Sequence, residues 1–299
     1  MWPFEQGPIR PPSEAESMLV RVSRNCPWNR CAFCSVYGGE TFSLRSVEEV
    51  VADLDEMRDY YGPRVRTVFL QDANALLTPP DRLEAILLAI RERFPQVHRI
   101  TTYARSHTLA HRQLADLQRL RAAGLHRVHI GFESGSDAVL KMINKGTTRA
   151  QQIIGGQRAR EAGFQVSEYW MPGLGGAALT AAHAAESASA LREIRPHFIR
   201  LRTTAVIRGT PLALLRDQGR FEELDDVAKV REIRAFLAAL GDLECRIESD
   251  HMLNLLMGIR GDLPDDLPQL LSLCDEFLSL PAADQQRFVR TRRSGGIRL

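Results

Sequence analysis

The sequence predicts an α/β fold, a partial (βα)6 TIM-like barrel with a helical C-terminal extension. Three observations predict it. From residue 17 to about 205, short β-like runs alternate with amphipathic helical stretches. Helical stretches in that region stop at glycine, the preferred residue past a helix C-terminus. Beyond residue 210 the alternation gives way to helical pattern. Alternation of this kind argues for a parallel sheet with helical crossovers. Six units close most of a barrel, where eight would complete it.

The elements follow in order. Ser17 to Val22 reads as a first strand. A helix follows over Val47 to Tyr60, with Ser46 and Glu49 in capping-box positions. Thr67 to Leu70 is a second strand, and a helix opens after Thr78-Pro79-Pro80. His98 to Tyr103 is a candidate third strand, followed by one helix from about Leu109 to Ala123 that stops at Gly124. Arg127 to Ile130 is a fourth strand, and a helix from Arg149 to Ala162 ends at Gly163. Gln165 to Trp170 is a fifth strand, with a helix over Thr180 to Glu193, and Phe198 to Ala205 is a sixth. In the extension, helices are expected over Val227 to Leu240, Leu267 to Leu280 and near Gln285.

Composition narrows the function classes. The 299 residues carry 44% hydrophobic content, enough for one large domain or two small ones. The formal net charge of +2 gives no global signal for nucleic acid. Of 39 basic residues three are lysines, Lys141, Lys145 and Lys229, which reads as coding bias. After Asp284 come Arg287, Arg290, Arg292, Arg293 and Arg298 with no acid, which reads as a solvated, partly frayed tail. No apolar run approaches the ~20 residues of a membrane helix, and the acidic, proline-rich start lacks the order of a secretory signal. A soluble, cytoplasmic protein without membrane partners is expected, and its five cysteines are then not structural disulfides. Cys245 and Cys274 are isolated, and Cys274 reads as a buried small apolar residue.

Three cysteines share one short loop after the first strand: Cys26, Cys31 and Cys34, in the spacing C-x4-C-x2-C. Functional groups collect at the carboxyl ends of strands in parallel α/β folds. Three thiolates can hold three irons of a 4Fe-4S cubane and leave the fourth open. A structural zinc wants four ligands, as does a plain electron carrier, and the nearest histidine is His98. A non-catalytic iron-sulfur electron or cluster carrier, and more remotely a zinc-binding module, remain as alternatives.

These residues resemble the radical S-adenosylmethionine (radical SAM) superfamily, over about residues 16 to 240. That family's loop is C-x3-C-x2-C, so this chain has one extra residue between its first two cysteines. The resemblance implies a radical SAM core over 16–240, with 241–299 as the extension. It implies a 4Fe-4S cluster held by Cys26, Cys31 and Cys34, and S-adenosylmethionine cleaved reductively to a 5′-deoxyadenosyl radical. It also implies an external one-electron donor such as flavodoxin or ferredoxin. Phe33, before the last cysteine, corresponds to the aromatic that packs near the adenine. The run His129-Ile-Gly-Phe-Glu-Ser-Gly-Ser resembles a fourth-strand segment of the family, and it makes Glu133 and Ser134 cofactor-binding candidates. Gly131, Glu133 and Gly135 share strand parity. Glu133 can accept bonds from ribose hydroxyls or the methionyl ammonium, or be a salt-bridged rim carboxylate. Ser136 and Asp137 are placed to cap the next helix. Trp170-Met-Pro-Gly-Leu-Gly-Gly resembles the glycine-rich element that borders the adenine, and marks Gly173. After strand two the family's glycine-glycine-glutamate is replaced by Phe69-Leu-Gln-Asp-Ala-Asn. Gln71 and Asp72 offer acceptors there. Asp72 is the candidate, with an Asx-turn or capping role as its alternative.

The substrate side is less marked, and a small molecule or a peptide fits equally. Tyr103 and Arg105 share one face after strand three. Arg200 and Arg202 share one face of strand six, and buried arginines need an anion. Either can meet the methionyl carboxylate, an acidic substrate or a rim carboxylate, and Arg202 is nearer the strand's carboxyl end. Ser249-Asp250-His251 is a candidate proton relay or a helix cap. No catalytic residue is assigned.

Overall fold

The computed structural model describes residues 9–39 and 41–294. Ten strands are β1 (Met18–Arg21), β2 (Ser23–Arg24), β3 (Ser43–Leu44), β4 (Thr67–Gln71), β5 (Arg99–Ala104), β6 (Leu125–Glu133), β7 (Gln165–Trp170), β8 (Phe198–Leu201), β9 (Cys245–Glu248) and β10 (Arg260–Leu263). Eleven helices are α1 (Val47–Tyr61), α2 (Pro80–Arg93), α3 (Ser106–His111), α4 (Leu114–Ala122), α5 (Asp137–Met142), α6 (Arg149–Glu161), α7 (Gly176–Ile194), α8 (Pro211–Asp217), α9 (Asp226–Leu240), α10 (Leu267–Ser279) and α11 (Ala282–Ser294). The main sheet runs β1-β4-β5-β6-β7-β8-β9-β10. Pairing is parallel for β1–β4, β4–β5, β5–β6 and β8–β9, and antiparallel for β9–β10. The six anticipated strands are β1, β4, β5, β6, β7 and β8. The extension is mainly helical, yet it also contributes β9 and β10, whose short CRIE and RGDL runs carry little strand signal.

Two compact units divide the chain. One comprises residues 1–29, 36–131 and 154–167, the other 30–35, 132–153 and 168–299. In the first, strand residues Val20, Val68, Leu70, Ile100, Val128 and Val166 bury their side chains with helix residues Leu54, Ile86 and Leu120. The alternate residues of the same strands are mainly polar and buried: Arg21, Gln71, Thr101, His129 and Ser167. The pleat thus sends aliphatic groups to the helices and a mainly polar set, with Leu19 and Phe69 among it, to the other face. Helix α1 begins with the anticipated capping box, Ser46 and Glu49 bonding reciprocally.

One long helix was anticipated over 109–123, and two form. Arg112 and Gln113 are extended. Arg112 turns its guanidinium to the carbonyls of Leu76 and Thr78. The carbonyls of Ala110 and Arg112, which the break leaves without helical partners, accept from Arg158 at 2.8 and 2.9 Å. Tertiary hydrogen bonding therefore overrides a favourable local pattern.

In the second unit Trp170 is fully buried. Its ring stacks on Phe236 at 3.7 Å between centroids and on His183 at 5.2 Å. Around it α7, α9 and α10 bury Ala188, Leu191, Ile233, Leu237 and Cys274. Burial pushes the Cys274 thiol up to about 11, which fits the apolar role anticipated for it. Within the described residues the arginine-rich tail is helical: residues 282–294 are α11, with Arg287 and Arg290 exposed as anticipated, and Arg293 held by Asp226 and by the Leu253 carbonyl at 2.8 Å. Arg298 lies outside the described residues.

Candidate functional site

The cysteine loop is shaped by two asparagines. Asn25 and Asn29 adopt left-handed backbone, φ +65° and +45°, a region that asparagine tolerates better than most residues. Asn25 Nδ2 donates to the Thr41 carbonyl at 2.7 Å, and the Asn29 N–H points at Cys26 Sγ at 3.4 Å. The Trp28 ring lies under the Arg105 guanidinium at 5.2 Å, so one residue of the anticipated Tyr103–Arg105 face holds this loop. Tyr103 packs edge-on against Phe69. In the second unit Cys31 and Cys34 close a turn, and Ala32 is pinned by backbone bonds to Ile143 and Leu212. Phe33 packs on the cluster that contains Met171 and Leu174.

All three cysteines are unbridged and half-buried. Among the described residues no group of three or more His, Cys, Asp or Glu is gathered at metal-holding geometry. The donor set itself fits iron: three thiols outside any disulfide, one of them already receiving an N–H, on a turn-rich loop. Soft thiolates are the ligands iron-sulfur clusters take.

At the carboxyl end of β4, Asp72 is fully buried with φ +74°, and it pairs with Arg21 at 3.0 Å. Beside it the Gln71 amide is buried without a partner among the described residues. Among the described residues the N-cap positions that follow are Asn74 and Pro79, not Asp72.

At the carboxyl end of β6, Glu133 also adopts left-handed backbone, φ +62°. A non-glycine residue there is strained by about 1–3 kcal/mol, and such strain clusters at functional sites. Glu133 is 8% exposed and bonds Lys145 Nζ at 2.9 Å. Lys145 also lies 5.9 Å from the centre of the Phe33 ring. The left-handed turn ends the strand alternation, so Gly135 does not share the face of Glu133. A Cβ on Gly135 would come within 2.6 Å of the Glu186 carbonyl of α7. Glycine is required there for close helix approach.

Ser134 is fully buried, and its hydroxyl lies 2.9 Å from His183 Nδ1. His183 Nε2 meets the Met171 carbonyl at 2.9 Å, which can only accept. Nε2 therefore carries the proton, and Nδ1 accepts from Ser134. Burial pushes the His183 pKa down to about 4, so the imidazole stays neutral and keeps this tautomer. Ser136 stands at the N-cap of α5 without a side-chain bond, and Asp137 instead accepts the Arg149 N–H at the start of α6.

Gly173 has φ +84°, and its N–H donates to Glu232. A Cβ there would meet Lys229 at 2.8 Å. Burial pushes Glu232 up to about 7, against bonds from Gly173 and Thr180 and the charge of Lys229. Glu168, near Glu133 and Lys145, is buried, and its Oε2 has no partner among the described residues. Burial first, then the Glu133 charge, lifts it well above the carboxylate range.

The two arginines of strand six part company. Arg200 is buried against Glu248 and Asp250. Arg202 lies one residue past β8 and is exposed. Asp250 thus faces Arg200 rather than His251, whose Nδ1 accepts the Leu253 N–H at 3.2 Å. Residues 249–259 are turns, bends and irregular backbone, with no helix there for Ser249 or Asp250 to cap. Lys145, His183, Glu168 and Glu232 are the side chains that sequence reasoning missed. Lys145 carried one signal, being a lysine in a chain that otherwise uses arginine.

No helix among the described residues is long and apolar enough to cross a membrane. The model of the radical SAM superfamily matches residues 20–188. An uncharacterized methyltransferase, PH0819, of Pyrococcus horikoshii is 29% identical over 148 residues, 49% of this chain and 30% of that protein. This chain therefore spans less than a third of that relative. Coproporphyrinogen III oxidase (HemN) from Escherichia coli, described as a radical SAM enzyme, has a TM-score of 0.56 at 18% identity, over 75% of this chain and 52% of that one. Methylornithine synthase (PylB) has a TM-score of 0.54 at 15% identity, over 91% of this chain and 85% of that one. At these identities the two structures speak to the fold, a partial TIM-like barrel. The chain belongs to the radical SAM superfamily and is an enzyme whose cofactors are a 4Fe-4S cluster and S-adenosylmethionine.

Proposed function

We propose that the chain is a cytoplasmic enzyme that cleaves S-adenosylmethionine reductively and starts radical chemistry on a small-molecule or peptide substrate. The cysteine loop carries this reading: three unbridged thiols, with the Asn29 N–H on Cys26 Sγ. Cys26, Cys31 and Cys34 hold three irons in this proposal and leave the fourth open. The cluster and S-adenosylmethionine together supply an electron and a carbon radical when bound; the chain binds, orients and excludes water. Phe33, anchored on Met171 and Leu174, borders the adenine. Glu133, steadied by Lys145, and Ser134, through its backbone position, receive the cofactor's polar groups, as does Asp72. Gly173 keeps its turn thin beside the adenine. Arg202, exposed past β8, meets the methionyl carboxylate. Residues 16–240 form the catalytic core and 241–299 its extension. Flavodoxin or ferredoxin supplies the electron. A non-catalytic carrier would leave the strained Glu133 without a use.

The test is anaerobic reconstitution followed by dithionite and S-adenosylmethionine. Release of 5′-deoxyadenosine supports the proposal, and Cys31→Ala abolishes cluster and cleavage together. An iron-free protein with stoichiometric zinc, or a Cys31→Ala variant that keeps both properties, contradicts it.

A further inference from the structure

A cavity of about 380 Å³ opens within the second unit, and no role above uses it. Its walls are the segment after β8, the segment after β9, the start of α9 and the last turn of α11. Strands β8 and β9 are parallel neighbours, so the cavity lies beyond the carboxyl ends of two adjacent strands. That is where ligands bind in parallel α/β folds. The volume is in the range of small-molecule sites.

Its charges are unequal. Lys229 pairs with Glu223 at 3.1 Å, and Arg293 pairs with Asp226. Arg292, half-buried on the same wall, has no carboxylate partner among the described residues. The lining therefore holds three cations against two carboxylates. Beside these charges stand Val206, Met252 and Leu253, and Met252 is 59% exposed. Thr204 lines the cavity too, and its buried hydroxyl has no partner among the described residues. A single uncompensated guanidinium suits one carboxylate, which it can bind bidentately. A phosphate dianion would bring a second charge toward Glu223 and Asp226.

We propose that this cavity binds a small monocarboxylate with an apolar body, and that this is the substrate class of the enzyme. Only the word substrate rests on the radical reading. Arg292 takes the carboxylate, while Val206, Met252 and Leu253 cover the carbon chain. Lys229, which crosses Gly173, makes one residue common to the cavity wall and the glycine turn.

Saturation-transfer NMR on the full chain tests it, with hexanoate and hexanamide as observed probes and inorganic phosphate as a competitor. Hexanoate is expected to bind and hexanamide not to. Arg292→Gln weakens hexanoate about tenfold or more, since charge-assisted bonds carry that much, and Arg292→Lys restores part of it. Val206→Trp fills the cavity and abolishes binding with Arg292 intact; circular dichroism verifies that each variant is folded. Equal binding of amide and carboxylate, tighter binding of phosphate, or hexanoate binding unchanged in Arg292→Gln or Val206→Trp overturns the proposal. The measurement uses no reductant. Its failure leaves the 5′-deoxyadenosine result standing, and failure of that assay leaves the anion site standing.

Discussion

At the residue scale, two buried carboxyl groups respond to pH in opposite senses. Burial pushes Glu14 upward, but hydrogen bonds from His129 and Ser17 and the charges of His129 and Arg99 overcome it, holding the pKa at about 2 against 4.5. A depressed acid stabilises the fold above its ordinary pKa, so this contribution is lost as pH falls from 4.5 toward 2, up to about 3 kcal/mol. Glu14→Gln should remove it, which urea denaturation at pH 7 reads as a lower midpoint. Glu232, raised to about 7, binds its proton more tightly in the folded chain. Stability then falls as pH rises from 4.5 through 7, again by up to about 3 kcal/mol. Glu232→Gln, a mimic of the neutral acid, should be more stable than the parent at pH 8 and equal to it at about pH 4. An equal effect at both pH values would contradict the assignment. Gly135→Ala places a Cβ 2.6 Å from the Glu186 carbonyl, and overpacking of that kind costs about 1–3 kcal/mol. The acid Glu133 was legible in sequence because it sits in a patterned strand end. Lys145 and His183 were not, because each acts on a partner distant in sequence, His183 on Ser134 from 49 positions away.

At the element scale, strand and helix identities followed from pattern and capping chemistry. Ser46 and Glu49 form their box, and Gly124 and Gly163 take positive φ. Pattern failed where side chains from other elements decide the backbone. The break between α3 and α4 depends on Arg158, whose guanidinium closes two freed carbonyls. Arg158→Ala leaves both without that donor, at about 1–3 kcal/mol each when buried. Amide hydrogen exchange should show faster opening confined to 106–122; unchanged protection there would show that the break needs no such support. Strands β9 and β10 were missed for a related reason. Arg246 pairs with Asp262 directly across the ladder and with Glu248 along its own strand, so charged residues ordinarily read as loop are matched within the sheet.

At the scale of the molecule, neither of the two large apolar clusters contains Cys26, Cys31 or Cys34. Each closes on aliphatic and aromatic groups, unlike small domains that fold only around a metal. Removal of iron by chelation should therefore abolish S-adenosylmethionine cleavage while leaving far-ultraviolet circular dichroism unchanged. Loss of helical signal on chelation would show that the metal holds the fold. The class of the chain was legible from one loop and two glycine-rich strand ends, since each joins a motif to a place in the βα order. The clustering into units interleaved in sequence was not, because it depends on contacts between distant segments. The scarcity of lysine, at first a matter of composition, has a practical consequence. Lys145 and Lys229 are under 10% exposed and held by Glu133 and Glu223, whereas Lys141 is open to solvent. Amine-directed reagents thus meet one free lysine, which gives the chain a single lysine anchor for tethering to a surface. The two guarded amines become built-in reporters: acetylation at Lys145 marks release of Glu133, and acetylation at Lys229 marks opening of the turn at Gly173.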